Sequence, residues 1–208
     1  MASVTGPLHS DSASGTFAGS LTFSRWKGRP YCRERVTPLN PKAPKQVGCR
    51  SMMAFLAQIW VTLTAGNKAT WADLAETKII STFNAFTSEC LARWQMVKAL
   101  TQQYPAAEAS TGLTVTTQNL VGGTGCATIT ITPSGATSIW GLLIFRDTAE
   151  ITAPSWVNCI AVIPANGANA VAHVDTPLAA GTYHYRTAVF NVDGILGTVH
   201  ADGTCDVT

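Results

Sequence analysis

The stretch LAAGTYHYRTAVFNVDG, Leu178 to Gly194, decides the fold. Between residues 182 and 191 it is rich in aromatic and β-branched residues, the composition of a strand. The flanking PLAAG and NVDG clusters supply turn formers. Working outward, the same two-residue period recurs upstream and once downstream. Strands are predicted at 113–120, 126–132, 139–146, 157–163, 170–175 and 182–191, with another beginning at 197. GGTG, PSGA and PANGAN turns separate several of them. Seven short strands at roughly ten-residue spacing predict an antiparallel sandwich over residues 111–208.

The first half is patterned differently. Residues 1–15 are Ser/Gly-rich, a composition that cannot build its own core, and read as an extended arm ordered only by contact. Residues 16–24 then alternate, with Phe17, Leu21 and Phe23 on one face of a strand. Lys27-Gly28-Arg29-Pro30 reads as a turn, and residues 31–37 as a returning strand that places Tyr31, Arg33 and Arg35 on one face. Eight Lys or Arg between Arg25 and Arg50 oppose one acid, Glu34. That local balance of +7 sits in a chain whose total is +2, so the remainder carries −5. Such asymmetry predicts a surface built to meet an acidic or polar partner. Arg25, Trp26, Arg29, Tyr31, Arg33 and Arg35 are its candidate residues, since tryptophan beside arginine is typical of interface centres.

In TPLNPKAP, prolines 38, 41 and 44 forbid continuous strand or helix, but Asn40 as cap and Pro41 in the first turn can launch a helix. Met52, Phe55, Leu56, Ile59 and Leu63 follow the spacing of one apolar helical face. Met53, Trp60 and Val61 lie off that face, so the helix is apolar nearly all round and is expected to be buried nearly all round. Other subunits are expected to supply the missing cover at those three residues. A short second helix is predicted at 68–77 with Trp71 inward, and a third from its Ser81 cap to about 100, carrying Phe83, Phe86 and Trp94. Residues 102–110 read as a linker. The fold class expected is therefore α+β: arm, hairpin and three short helices over 16–101, then an all-β sandwich.

Composition narrows the function. The chain has 208 residues, 46% of them apolar and only 12% charged, which fits a surface partly covered by neighbours. The first residues do not spell a signal peptide, and the apolar run near 52–61 is too short to span a bilayer, so synthesis in a cytoplasm is expected. The six cysteines show no C-x-x-C and no Cys/His cluster, and read as buried small hydrophobes; Cys126 with Cys205 is the first pair to test for a disulfide. His173 and Asp175 share a strand face and form the best acid/base or metal pair, but they lack a third ligand. No nucleophile motif of the G-x-S-x-G type occurs, and GGTG at 122–125 joins two strands as a hairpin turn rather than opening a helix. The expectation is a non-enzymatic protein without cofactor or metal.

Two resemblances add to this. LAAGTYHYRTAVFNVDG resembles the late strands of fibronectin type III and related immunoglobulin-like modules, which implies that Tyr183 is a corner residue whose hydroxyl bonds back to the chain. Gly28, Tyr31, Arg33 and Arg35, then Pro38-Leu39-Asn40-Pro41, Gln46, Trp60 and LTAGNKATW ending at Trp71, resemble the opening module of a group of tailed-phage virion proteins. This second resemblance implies a virion structural protein, most concretely a capsid decoration protein anchored by its first half and displaying an immunoglobulin-like domain. Trp71 and Trp94 on the helices and Tyr183 at the sandwich corner are the expected structural residues. The implied partners are other copies of this chain and virion proteins such as a major capsid protein, without a membrane. A neck or tail-fibre adhesin that contacts host glycans through Trp156 or Tyr185 is the first alternative. A nucleic-acid-binding protein working through the basic hairpin is the second.

Overall fold

The computed structural model describes residues 2–3, 14–36, 43–107, 113–134, 139–165 and 167–208. The chain divides into two compact units, residues 1–41 and 42–208. The division therefore falls ahead of the helices, not at 102–110 where composition places a linker.

The first unit is a small antiparallel sheet of β1 (Ala2–Ser3), β2 (Gly15–Phe17), β3 (Leu21–Trp26) and β4 (Arg29–Glu34), in the order β1-β4-β3-β2. Within the expected arm, Ala2 and Ser3 form an extended strand that pairs with Cys32 and Tyr31. The continuous strand expected over 16–24 is interrupted: Ala18 (φ 47°) and Gly19 (φ 69°) turn left-handed, and Phe17 comes to face Leu21 across the ladder. Lys27 (φ 47°) and Gly28 (φ 79°) form a two-residue turn between paired Trp26 and Arg29, the arrangement that matches strand twist.

In the second unit, helix α1 (Pro44–Thr62) begins with a proline at its first positions and Ala43 as an N-cap without a side-chain bond. The expected cap Asn40 and first-turn Pro41 lie outside the described residues. The expected second helix is two: α2 (Ala65–Ala69), whose cap Thr64 accepts the Asn67 N–H, and α3 (Ala72–Lys78). Helix α4 (Thr82–Gln95) is capped as expected by Ser81, which accepts the Asn84 N–H at 3.2 Å. It stops short of residue 100 because Val97 turns left-handed at φ 55° and Lys98 N–H reaches back to Arg93 O at 2.9 Å.

Seven strands follow: β5 (Thr114–Gly123), β6 (Cys126–Ser134), β7 (Ile139–Asp147), β8 (Cys159–Pro164), β9 (Val171–Asp175), β10 (Gly181–Asn191) and β11 (Gly203–Val207). They make two antiparallel sheets, β11-β10-β7-β8 and β5-β6-β9, an immunoglobulin-like sandwich. Between the sheets, Leu142, Ile144, Tyr185 and Val189 meet Ala127, Ile129 and Ile131. The opposite face of the four-stranded sheet is also buried. Leu143, Phe145, Cys159, Val162, Ala188 and Phe190 form one core with Met52, Phe55, Leu56, Phe86 and Trp94 of the helices. Phe55, Trp140 and Phe190 pack edge to face at 5.6–5.9 Å.

This three-layer arrangement explains the placement of the unit boundary. The predicted face of α1 is buried as expected, but its cover comes from this chain's own sandwich. Helix α1 lies along β8, the edge strand, where Gly48 leaves no room for a side chain: a Cβ there would stand 1.9 Å from Cys159 O. Ser51 Oγ donates to Val162 O (3.1 Å) and accepts the Val162 N–H (2.8 Å), doing for that edge what a neighbouring strand would do. The described part of the expected linker is also tied down. Trp71 Nε1 donates to Gln102 O, Asn67 Nδ2 to Gln102 Oε1, and the Tyr104 N–H to Thr70 Oγ1, each at 3.0 Å.

Candidate interaction surfaces

The basic sheet is built by cross-strand register. Directly opposed pairs share a face, so Trp26↔Arg29, Ser24↔Tyr31 and Thr22↔Arg33 place one tryptophan, one tyrosine and two arginines together. Leu21, Phe23 and Arg25 occupy the other face with Glu34, Cys32 and Pro30. The expected set is therefore divided: Arg25 lies opposite the Trp26 face, and Arg35 lies past the end of β4, where its N–H bonds Ser20 O at 2.7 Å. Lys27 Nζ stands 4.9 Å over the Trp26 ring, which is 65% exposed. No residue from 14 to 36 is buried, and Phe17, Leu21 and Val36 are exposed along with Trp26.

On the helices, the three residues expected to face neighbours separate. Met53 and Val61 are exposed on the outer side of α1. Trp60 instead packs on Phe83 and Phe86 at 5.6 and 5.3 Å, with Lys68 Nζ 5.6 Å over its ring, so this chain partly covers it. Ile79 is 92% exposed in a left-handed conformation (φ 54°) that ends α3. The structural tryptophans are interior: Trp71 packs on Phe86 at 5.3 Å and Trp94 on Trp156 at 5.8 Å.

Within the sandwich, sequence reasoning missed the central polar constellation. Arg146 Nη1 holds both oxygens of Asp175 at 2.8 and 2.7 Å, and the Tyr185 hydroxyl donates to Asp175 Oδ2 at 3.0 Å. Burial, then the adjoining Asp175 charge, pushes the Tyr185 phenol well above its ordinary range, so it stays a donor. Asp175 is thus committed to Arg146 and Tyr185. Burial lowers the His173 pKa, with Asp175 opposing the shift. No local signal announces the ion pair, since its members are 29 residues apart. Tyr185 is fully buried and cannot touch a glycan, while Trp156 lies between Trp94 and Lys45 Nζ, 4.4 Å over its ring. The Tyr183 hydroxyl donates to Ala179 O at 3.1 Å, the back-bond implied by the corner resemblance. His184 Nδ1 lies 2.6 Å from Asp202 Oδ2.

Cys32, Cys49, Cys90, Cys126, Cys159 and Cys205 are free thiols. Burial pushes Cys90 and Cys159 up to about 12, which makes them inert as nucleophiles. Cys205 is also raised, by burial first, then by Asp206 and the nearby Cys126. Among the described residues, no three His, Cys, Asp or Glu side chains converge as a metal site, and no single helix is long and apolar enough to cross a membrane.

Comparison with known proteins adds little to this geometry. No protein-family model matches the chain, and no curated protein matches it. Among solved structures, the chain is similar to the CARDB domain of a Pyrococcus furiosus protein crystallised with two metal ions. That match has 9% identity, covers 48% of this chain and 88% of that one, and has a TM-score of 0.29. At that level of likeness, the assignment of an immunoglobulin-like sandwich rests on this chain's own strand order.

Proposed function

We propose that this chain is a non-enzymatic structural component of a large assembly, anchored through its basic amino-terminal sheet and displaying the helix-backed sandwich. The observation that carries this reading is that the sheet buries none of residues 14–36, although it exposes Phe17, Leu21 and Trp26 beside five cations. A sheet with no core of its own gains stability by docking, and arginine with tryptophan is the composition of interface centres. The resemblance of its motifs to tailed-phage virion proteins gives the assembly a concrete form: a capsid decoration protein whose partners are its own copies and a major capsid protein. The sheet orders β11-β10-β7-β8 and β5-β6-β9 support reading the sandwich as fibronectin type III-like, a fold used widely as a spacer or display module. Mass spectrometry of purified particles tests the proposal: many copies per particle are expected, and absence from particles refutes it.

A second reading has its own observation. Trp26, Arg29, Tyr31 and Arg33 share one face, and aromatic rings interleaved with cations also suit single-stranded nucleic acid. Under that reading, the Arg33→Ala, Arg35→Ala double variant loses salt-sensitive DNA binding. Under the anchoring reading, it loses particle incorporation with no DNA affinity to lose.

A further inference from the structure

The sandwich has an edge strand at each end of its two sheets, and this chain closes all of these edges but one. The β8 edge carries the Ser51 hydroxyl of α1. The β5 and β11 edges close on each other: the Thr208 N–H donates to Gly123 O at 3.2 Å, the Gly125 N–H donates to Thr208 O at 2.9 Å, and a Cβ on Gly122 would stand 1.8 Å from Asp206 O. That leaves β9. It pairs with β6 from Val171 to Asp175 without a bulge, and among the described residues nothing meets the backbone N–H and C=O groups on its other side. Natural edge strands are commonly blunted by lysine, proline or a bulge, and VAHVD has none of these. Its one carboxylate, Asp175, is spent on Arg146. Ala172 and Val174 share the outer face of the sheet with Thr130 and Thr128. Residues 113–134 contain no Lys, Arg, Asp or Glu, so this outer face is uncharged, and Val121 and Val174 are more than half exposed on it.

We infer that β9 pairs antiparallel with β9 of a second copy of this chain, joining two three-stranded sheets into one of six strands. A row of unpaired backbone donors and acceptors is matched in series by another extended strand. The uncharged face gives an acidic or basic segment nothing to pair with, whereas two such faces meet with no like charges opposed. A register centred on His173 sets each Ala172 opposite Val174 of the other copy. The contact is five residues long, well short of a standard interface, so dissociation is expected at roughly 10–100 μM. The inference rests on the β9 edge alone and is independent of the anchoring proposal.

Sedimentation equilibrium of the full chain tests it. The parent is expected to show a monomer–dimer equilibrium. Ala172→Lys with Val174→Lys sets lysine opposite lysine and is expected to weaken the dimer at least about tenfold, as is the matching pair Ala172→Glu with Val174→Glu. An equimolar mixture of the two double variants is expected to restore association, because opposite charges then face each other. Amide hydrogen exchange on the parent needs no variant: protection at residues 171–175 is expected to rise with protein concentration. The inference is overturned if the parent stays monomeric at about 1 mM, if the lysine variant associates as the parent does, if the mixture fails to associate, or if exchange at 171–175 is independent of concentration.

Discussion

At the residue scale, the Arg146–Asp175–Tyr185 cluster sets the sharpest expectations. Asp175 is 8% exposed and Arg146 12%, so removing one partner leaves a charge with little access to water. Arg146→Met is expected to cost about 3–5 kcal/mol in denaturant unfolding. Tyr185→Phe removes one hydrogen bond but leaves the ion pair, and a loss of about 1–2 kcal/mol is expected. Ile79 tests the reverse effect, because a β-branched residue at φ 54° is strained and its side chain is almost wholly in water. Ile79→Gly is expected to raise stability by about 1 kcal/mol, read from the urea midpoint. His173 gives a pH signature. Its folded pKa is lowered, mainly by burial, so as pH falls the unfolded chain takes up the proton first. Its contribution to stability is complete above about pH 6.5 and declines as pH drops toward the folded value. Urea midpoints measured across that range are expected to show the decline in the parent and a flatter profile in His173→Gln.

At the element scale, α1 shows how far periodicity reaches. The buried positions Met52, Phe55, Leu56 and Leu63 are the ones the helical period selects, because one-sided packing imprints a local pattern. What covers them is non-local, and spacing along the helix carries no information about it. The clue lay elsewhere: IWGLLIF, residues 139–145, is apolar without alternation, as a strand buried on both faces must be, and β7 is buried throughout that run. The turn at Ala18-Gly19 escaped for a related reason, since Phe17 and Leu21 keep the same parity on either side of it. Ser51 offers a direct test of the edge contact. Ser51→Ala leaves the Val162 N–H and C=O without their partner, and a destabilisation of about 1–3 kcal/mol is expected by thermal or urea unfolding.

At the scale of the whole molecule, two units with different resources are joined in one chain. Residues 42–208 hold both hydrophobic cores, one between the sheets and one between sheet and helices. The sandwich without its helices would expose Phe145, Phe190 and Trp140, so residues 111–208 alone are expected to aggregate, whereas residues 42–208 fold. Residues 1–41 bring much of the positive charge and no buried residue among those described from 14 to 36. That contrast is the physical basis for reading the sheet as an anchor. The most direct measurement is the copy number of the 42–208 fragment in purified source particles assembled in its presence, compared with the full chain. The fragment is expected to be folded by circular dichroism and absent from the particles; its incorporation at the full-length copy number would contradict the anchor.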